Sequence, residues 1–277
     1  MLGKLLKHEF KVTSRYFLPM FLVIIVATAL LKVSTLLSEN SIFLSIEIST
    51  FLNIVEGLFV AVYLLILFGT AMLALFLLVK RFYSNMFGDE GYLTHTLPVT
   101  GTQLLNSKLI CSFVWMILLV PIWIGSILIL FAGTDAFSEV SFYAAMVLEE
   151  VQILNISGFS VSIILIELIL MFLFGLIGAI LSYYLCITLG QHFLGEHRLA
   201  GAILFYFVIS VISSTVSSVF STIIEMTLGN PSAIVTIPAL FQVLTIMFGA
   251  SILITLVQIV VYYLITNYLL TKRLNLY

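Results

Sequence analysis

Three ionisable residues lie inside long apolar stretches of the sequence: Lys32, Glu56 and Glu167. A charge within the hydrocarbon core of a bilayer is expensive, and such residues commonly serve ion or proton transport. Counted at about 1.5 Å per helical residue, all three fall near the outer boundary of the bilayer, where snorkelling or mutual pairing accommodates them. We therefore predict side chains at the interface, with a proton relay through Glu56 or Glu167 as the alternative.

Serines recur at helical spacing within residues 200–221. The stripe consists of Ser210, Ser214, Ser217 and Ser221, with Ser213, Thr215 and Ser218 beside it. Small hydroxyl residues allow transmembrane helices to approach closely. The stripe is interpreted either as a packing face, in particular the subunit interface of a dimer, or as the lining of a translocation path. Both roles are compatible with a dimeric transporter.

Motifs for enzyme catalysis and nucleotide binding are missing from the sequence. A chain that hydrolyses ATP would carry a glycine-rich phosphate loop ending in Gly-Lys-Ser or Gly-Lys-Thr, and none occurs. His192, Glu196 and His197 miss the inverted zinc-protease spacing by one residue, and we interpret them as part of a solvated loop. No catalytic residue, cofactor, metal or nucleic-acid partner is expected.

The composition identifies the bilayer as the solvent of this chain. Of its 277 residues, 62% are hydrophobic and only 9% are charged, against about 25% charged residues in soluble domains. A helix of about 20 apolar residues crosses a bilayer with every backbone group satisfied internally. Six runs qualify, near residues 17–37, 54–79, 109–131, 160–189, 200–221 and 243–269. The sequence therefore predicts an all-α polytopic membrane protein with six transmembrane helices.

The organisation that follows is a single transmembrane domain over residues 1–277. An interfacial helix is predicted at 1–16, spans 1–2 at 17–79, a cytoplasmic loop at 80–108, spans 3–4 at 109–190 and spans 5–6 at 191–277. The outer connections, residues 132–159 and 222–242, are too long for tight turns and too apolar for disorder. Asn230, Pro231 and Pro238 are expected to break the second connection into short pieces that dip toward the membrane.

The distribution of basic residues predicts the orientation. An even number of spans puts both termini on one side, and ten of the eleven Lys and Arg residues fall on that side. By the positive-inside rule this side is cytoplasmic, and the opposite side carries the acidic residues. These are Glu39, Glu47, Asp135, Glu139, Glu149, Glu150 and Glu225. Cys111 and Cys186, in apolar stretches near the cytoplasmic side, are expected to be free thiols.

Residues 1–16 have an amphipathic pattern. One helical face carries Leu2, Leu5, Leu6, Phe10 and Thr13, and the other carries Lys4, Lys7, His8, Lys11 and Arg15. The pattern predicts a helix lying in the inner membrane interface, with a simple positive-inside anchor as the alternative. Pro19 would then set an elbow in the first turn of span 1.

The cytoplasmic loop between spans 2 and 3 reads KRFYSNMFGDEGYLTHTLPVTGTQLLNSK. Gly88 is expected to end the helix of span 2, and Asp89 and Glu90 suit the start of a short helix that ends at Pro98. Thr100 then begins the helix of span 3 as its N-cap, with Gln103 completing a capping-box pattern.

Apolar residues of the short loop helix lie one helical turn apart. They are Tyr92, Leu93 and Leu97. An exposed apolar surface on a cytoplasmic helix indicates a partner protein. The alternative is that these side chains rest on the membrane surface.

The same loop carries a resemblance to a known family. Glu90-Gly91-Tyr92-Leu93, Thr96-Leu97-Pro98-Val99 and Ser107-Lys108 follow one another as in the six-span permease subunits of bacterial ATP-binding-cassette exporters of the second type. The resemblance covers essentially the whole chain and includes the amphipathic start. It implies a bacterial cell-membrane protein that works as a dimer with itself or a related permease. It also implies that Asp89, Glu90, Tyr92, Leu93 and Leu97 couple to a cytosolic ATPase subunit, which would hydrolyse the ATP.

Three classes of function compete on this sequence. The first is the exporter subunit, with a peptide, antibiotic or lipid as the implied substrate. The second is a transporter driven by an ion gradient through Glu56 or Glu167, although the spans show no clear inverted repeat. The third is a membrane scaffold or sensor, which would leave the coupling-like loop unexplained.

Overall fold

The protein is described here by a computed structural model, which covers residues 2–39, 46–88, 91, 99–156, 161–194, 198–228 and 237–272. These ranges form seven helices and contain no strand. The helices are α1 (Leu2–Glu39), α2 (Ile46–Phe87), α3 (Gly101–Phe131), α4 (Asp135–Ile156), α5 (Val161–Phe193), α6 (Arg198–Leu228) and α7 (Ile237–Lys272).

Six of these helices are long and apolar enough to cross a membrane. The qualifying segments are Leu2–Leu37, Thr50–Phe87, Gly101–Phe131, Ser162–Phe193, Ala200–Ile224 and Gln242–Thr271. Large apolar side chains such as Leu22, Leu65 and Leu253 are more than half exposed along them, as expected of surfaces that contact lipid. The predicted all-α polytopic membrane fold with six spans is confirmed.

Helix α1 joins two segments that the sequence separates. Residues 2–16 are helical as predicted, but they continue without an elbow into the first span, and Pro19 lies inside the helix. Lys4, Lys7 and Lys11 are exposed, whereas Glu9 and Thr13 are buried. Because the face that carries Glu9 and Thr13 packs against protein, the segment is held in line with the span.

Helix α4 was not expected from the sequence. Helix α3 ends at Phe131, and Gly133 takes a positive φ of 83°, which favours glycine. Thr134 then caps α4, since its Oγ1 accepts from the N–H of Phe137 at 3.3 Å. The predicted outer connection at 132–159 is therefore largely helical.

The chain groups into two compact units. Unit 1 comprises Met1–Arg81 and Ile110–Tyr143, and unit 2 comprises Phe82–Leu109 and Ala144–Tyr277. The core of unit 1 is built on Trp115, whose ring stacks on Phe17 with 4.8 Å between centroids and lies near Phe10 and Phe21. Cys111 lies in this core, and both it and Cys186 of unit 2 are buried free thiols, as predicted.

Unit 2 is organised around α5, which packs along both α7 and α6. Gly178 of α5 brings the helices close, since a Cβ at this position would lie 3.6 Å from Ile259 and 3.8 Å from Thr255. Tyr184 stacks on Phe82 with 3.9 Å between ring centroids, and the hydroxyl of Tyr263 donates to Asn106 at 3.0 Å. Pro238 lies in the first turn of α7, where proline costs least, and Asn230 and Pro231 fall outside the described residues.

Candidate functional site

The predicted coupling segment lies mostly outside the described residues. Asp89, Glu90, Tyr92, Leu93 and Leu97 all belong to that part of the chain. Their role at an ATPase interface therefore stays a prediction. The residues on either side of the segment are described, and they show how the connection between α2 and α3 begins and ends.

Gly88 ends α2 as predicted, and Gly91 packs against the same helix end. The N–H of Gly88 donates to Ser84 at 3.1 Å, and the N–H of Gly91 donates to Gly88 at 2.8 Å. A Cβ at Gly88 would lie 2.7 Å from the Ser84 carbonyl oxygen, and one at Gly91 would lie 2.8 Å from the Met86 carbonyl oxygen. Because backbone atoms cannot move aside cheaply, both positions require glycine.

Thr100 caps α3, as the sequence predicts. The N–H of Gln103 points at the Thr100 hydroxyl oxygen at 3.4 Å and at its carbonyl oxygen at 3.0 Å. The segment that carries the predicted coupling residues is thus bounded by a glycine seated on the end of α2 and by a capped start of α3.

The serine stripe lies on α6 and borders a cavity. Ser214, Ser217 and Ser221 line the cavity, while Ser210 is half-buried elsewhere on the helix. The space measures about 630 Å³, is open to the surroundings and is lined by residues of α5, α6 and α7. Its remaining lining residues are Met171, Ser218, Phe220, Ile224, Leu244, Met247, Phe248, Ser251, Ile254 and Thr255.

Hydroxyl groups of the lining donate to their own helices. Ser214 donates to the Val211 carbonyl at 3.0 Å, Ser218 to Ser214 at 2.6 Å and Ser221 to Ser218 at 2.9 Å. On α7, Ser251 and Thr255 do the same at 2.8 and 2.9 Å. A hydroxyl that donates its one proton to its own helix can act toward the cavity only as a hydrogen-bond acceptor.

Glu167 lies at the edge of the cavity. It precedes the lining residue Met171 by one turn of α5, and its Oε1 would lie 3.7 Å from a Cβ at Gly249, the neighbour of Phe248. Its Oε2 is buried and has no hydrogen-bond partner. This carboxylate was a candidate from the sequence, but its position beside the serine stripe could not be predicted.

Lys32 and Glu56 belong to unit 1. The ammonium group of Lys32 donates to the carbonyl oxygens of Leu130 and Ala132 at 3.1 and 2.5 Å, at the end of α3. A cation at a helix C-terminus is favourable because the last carbonyls lack partners and carry the negative end of the helix dipole. Glu56 is half-buried in α2. The position of Lys32 and Glu56 at the membrane interface stays a prediction.

A polar anchor in unit 1 was missed by the sequence reasoning. Arg81 Nε donates to Glu9 Oε2 at 2.7 Å, and Trp115 Nε1 donates to the Thr13 hydroxyl at 2.7 Å. Thr13 Oγ1 in turn donates to the Glu9 carbonyl oxygen at 2.8 Å. Helical spacing already put Glu9 and Thr13 on one face of α1, and this was the only available signal.

Metal ligands show no clustering in the described ranges. No three His, Cys, Asp or Glu side chains there are grouped so as to hold an ion. His192 packs edge-on against Phe193, and His197 lies outside those ranges.

Comparison with known proteins adds no relative. No protein-family model, curated protein or solved structure matches the chain.

Proposed function

We propose that this chain is the membrane-spanning subunit of an exporter in the bacterial cell membrane, driven by a separate ATP-binding-cassette ATPase. It acts as a dimer with a second copy or with a related permease, and both termini face the cytoplasm. The six apolar spans and the resemblance of the loop between α2 and α3 support this proposal. The sequence has no phosphate loop of its own, so the ATP would be hydrolysed by the partner.

The observation that carries the proposal is the way this loop is bounded. Gly91 sits against the Met86 carbonyl and Thr100 caps α3, so a short segment with apolar residues follows one span and precedes the next almost directly. A push on such a segment would be passed to two spans with little slack. A longer, loosely attached loop would absorb the same push.

Affinity purification tests the assignment. The tagged chain is extracted from its native membrane in mild detergent, and the proteins that remain bound are identified by mass spectrometry. A stoichiometric ATP-binding-cassette ATPase is expected. A folded chain that repeatedly comes without one would overturn the proposal.

Substitutions in the loop test the coupling role. Tyr92→Asp and Leu97→Asp are expected to leave the chain in the membrane but to abolish ATPase binding, because each replaces an apolar contact by a charge. Thr94→Asp is the matched control, since it adds the same charge to the same segment off the apolar face. If all three variants retain the ATPase, the coupling segment lies elsewhere.

A transporter driven by an ion gradient is the second candidate. It is favoured by Glu167, whose Oε2 is buried without a partner, because an intramembrane carboxylate of this kind is a common proton or ion site. Under this alternative, Glu167→Gln abolishes transport and ATP depletion at a constant gradient does not. The opposite pattern excludes it.

A further inference from the structure

The cavity among α5, α6 and α7 has the size of a ligand pocket. Its volume of about 630 Å³ compares with roughly 300–1,000 Å³ for pockets that hold small molecules. The space is open to the surroundings of the helices, so a molecule can enter it from the bilayer or its interface.

The lining restricts the chemistry of that molecule. Met171, Met247, Phe220 and Phe248 provide apolar walls, and the thioether groups adapt to ligands of different shape. Among the described residues of the lining, the polar side chains are hydroxyls and none is charged. Since all of these hydroxyls except that of Ser217 donate to their own helices, a ligand that bonds to them must bring hydrogen-bond donors.

Glu167 adds a requirement for positive charge. Its carboxylate contacts α7 at Gly249, directly beside the lining residue Phe248, and its Oε2 is buried and unpaired. A buried carboxylate is costly unless a cation or several donors compensate it. An apolar space with acceptor groups and one carboxylate at its edge is complementary to a molecule with an apolar body and a cationic, donor-rich head.

We propose that this cavity binds a cationic amphiphile, a molecule with a hydrocarbon portion and a protonated amine. The proposal names the substrate class of the proposed exporter and rests on that function for the statement that the ligand is transported. The protonated amine is expected to form an ion pair with the carboxylate of Glu167. The hydrocarbon portion lies between Met171, Phe220 and Phe248.

Other occupants fit less well. A neutral acyl chain would leave Glu167 unpaired, and an anionic headgroup would be repelled by it. A second copy docked through the same face would bring no positive charge to Glu167, because a two-fold contact repeats one surface on both sides. Only a ligand that supplies donors and positive charge satisfies the groups present.

A binding assay on the full chain tests the proposal. The purified chain is reconstituted in phosphatidylcholine nanodiscs, and binding of radiolabelled dodecylamine is measured by scintillation proximity against empty nanodiscs. Unlabelled dodecylamine, dodecanol and dodecanoate serve as competitors of equal chain length. Dodecylamine is expected to compete at least about tenfold better than the other two, as for a charge-assisted hydrogen bond. Equal competition by amine and alcohol, or no binding at all, would overturn the proposal.

Two variants locate the site. Glu167→Gln, which keeps the shape of the side chain, is expected to remove the preference for the amine, whereas Glu139→Gln in exposed α4 keeps it. Ser218→Phe fills the cavity and is expected to reduce dodecylamine binding at least about tenfold. If Glu139→Gln and Glu167→Gln have equal effects, or if Ser218→Phe binds as before, the ligand lies elsewhere.

The assay contains no ATPase, so its outcome is separate from that of the proposed function. If the chain binds amines selectively but purifies without an ATPase, the binding site is supported and belongs to a gradient-driven transporter. If the chain purifies with an ATPase but shows no preference for amines, the exporter function is supported and the proposed substrate class is wrong.

Discussion

The aromatic anchor of unit 1 and the cavity wall of unit 2 use polar groups in opposite ways. Around Trp115, polar groups bond between helices, as in Trp115 to Thr13 and Arg81 to Glu9. Around the cavity, hydroxyls such as Ser214 and Ser218 bond back to their own helix. The first arrangement depends on the position of the neighbouring helix, and the second does not.

This difference has a consequence for motion and binding. Hydrogen bonds between helices fix register and orientation, because moving one helix leaves a buried donor without its acceptor. The hydroxyls of Ser214 and Ser218 are satisfied within α6, so they can meet a ligand without losing a bond between helices. Ser213, next to Ser214 in sequence, differs because its hydroxyl bonds to that of Tyr262 on α7. The cavity-facing serines are thus less tied to a neighbouring helix than the polar groups around Trp115.

Trp115→Ala is expected to have the largest effect on stability. It removes the ring that stacks on Phe17 and the donor to Thr13, and leaves a hole in the core of unit 1. The expected loss in free energy of unfolding is about 3 kcal/mol. It is measured by titration with dodecyl sulfate in mixed micelles, followed by circular dichroism.

Trp123 provides the matched control. Its Nε1 is buried without a partner, so Trp123→Phe is expected to cost less than Trp115→Phe, which deletes a hydrogen bond and should cost about 1 kcal/mol. Equal losses for the two phenylalanine variants would show that the bond from Trp115 to Thr13 adds nothing to stability.

The ion pair of unit 1 is expected to have an intermediate effect. The side chains of Arg81 and Glu9 are only 20% and 11% exposed. Glu9→Gln and Arg81→Gln should each lower the free energy of unfolding by about 1–2 kcal/mol, since a largely buried charge loses a charge-assisted hydrogen bond. The double variant should be less destabilised than the sum of the single changes, which the same titration measures in a double-mutant cycle. Strict additivity would contradict a direct interaction.

Ser218→Ala is expected to have the smallest effect. Its hydroxyl donates only to Ser214 within α6 and faces the cavity. A change within about 0.5 kcal/mol is expected in the same titration, because no contact between helices is lost. A loss as large as that of Glu9→Gln would remove the contrast between the two regions.

Local features of the fold could be predicted because they depend on neighbours in sequence. The end of α2 at Gly88 and the cap of α3 at Thr100 follow from residues within one helical turn. Helix α4 was missed although Thr134 and Asp135 form a recognisable start. An apolar stretch with four acidic residues in it resembles neither a span nor a typical loop.

The contacts of the two regions could not be predicted in the same way. Arg81 is 72 residues from Glu9, and Trp115 is 102 residues from Thr13. Each apolar helix contains several residues of the same types, so its composition does not indicate which residue of one helix contacts which residue of another. Glu167 and the serine stripe were each identified as candidates, but nothing in their spacing indicated that Glu167 lies next to the cavity that the stripe lines.

The sequence by itself determined that the chain lies in a membrane, how many times it crosses and where most of its helices begin and end. These properties depend on the cost of burying unsatisfied or charged groups in lipid, which each segment meets independently of the others. Which faces of the helices meet was decided by tertiary packing. In lipid, apolar faces are nearly equivalent, and close fit and a few polar contacts select among them.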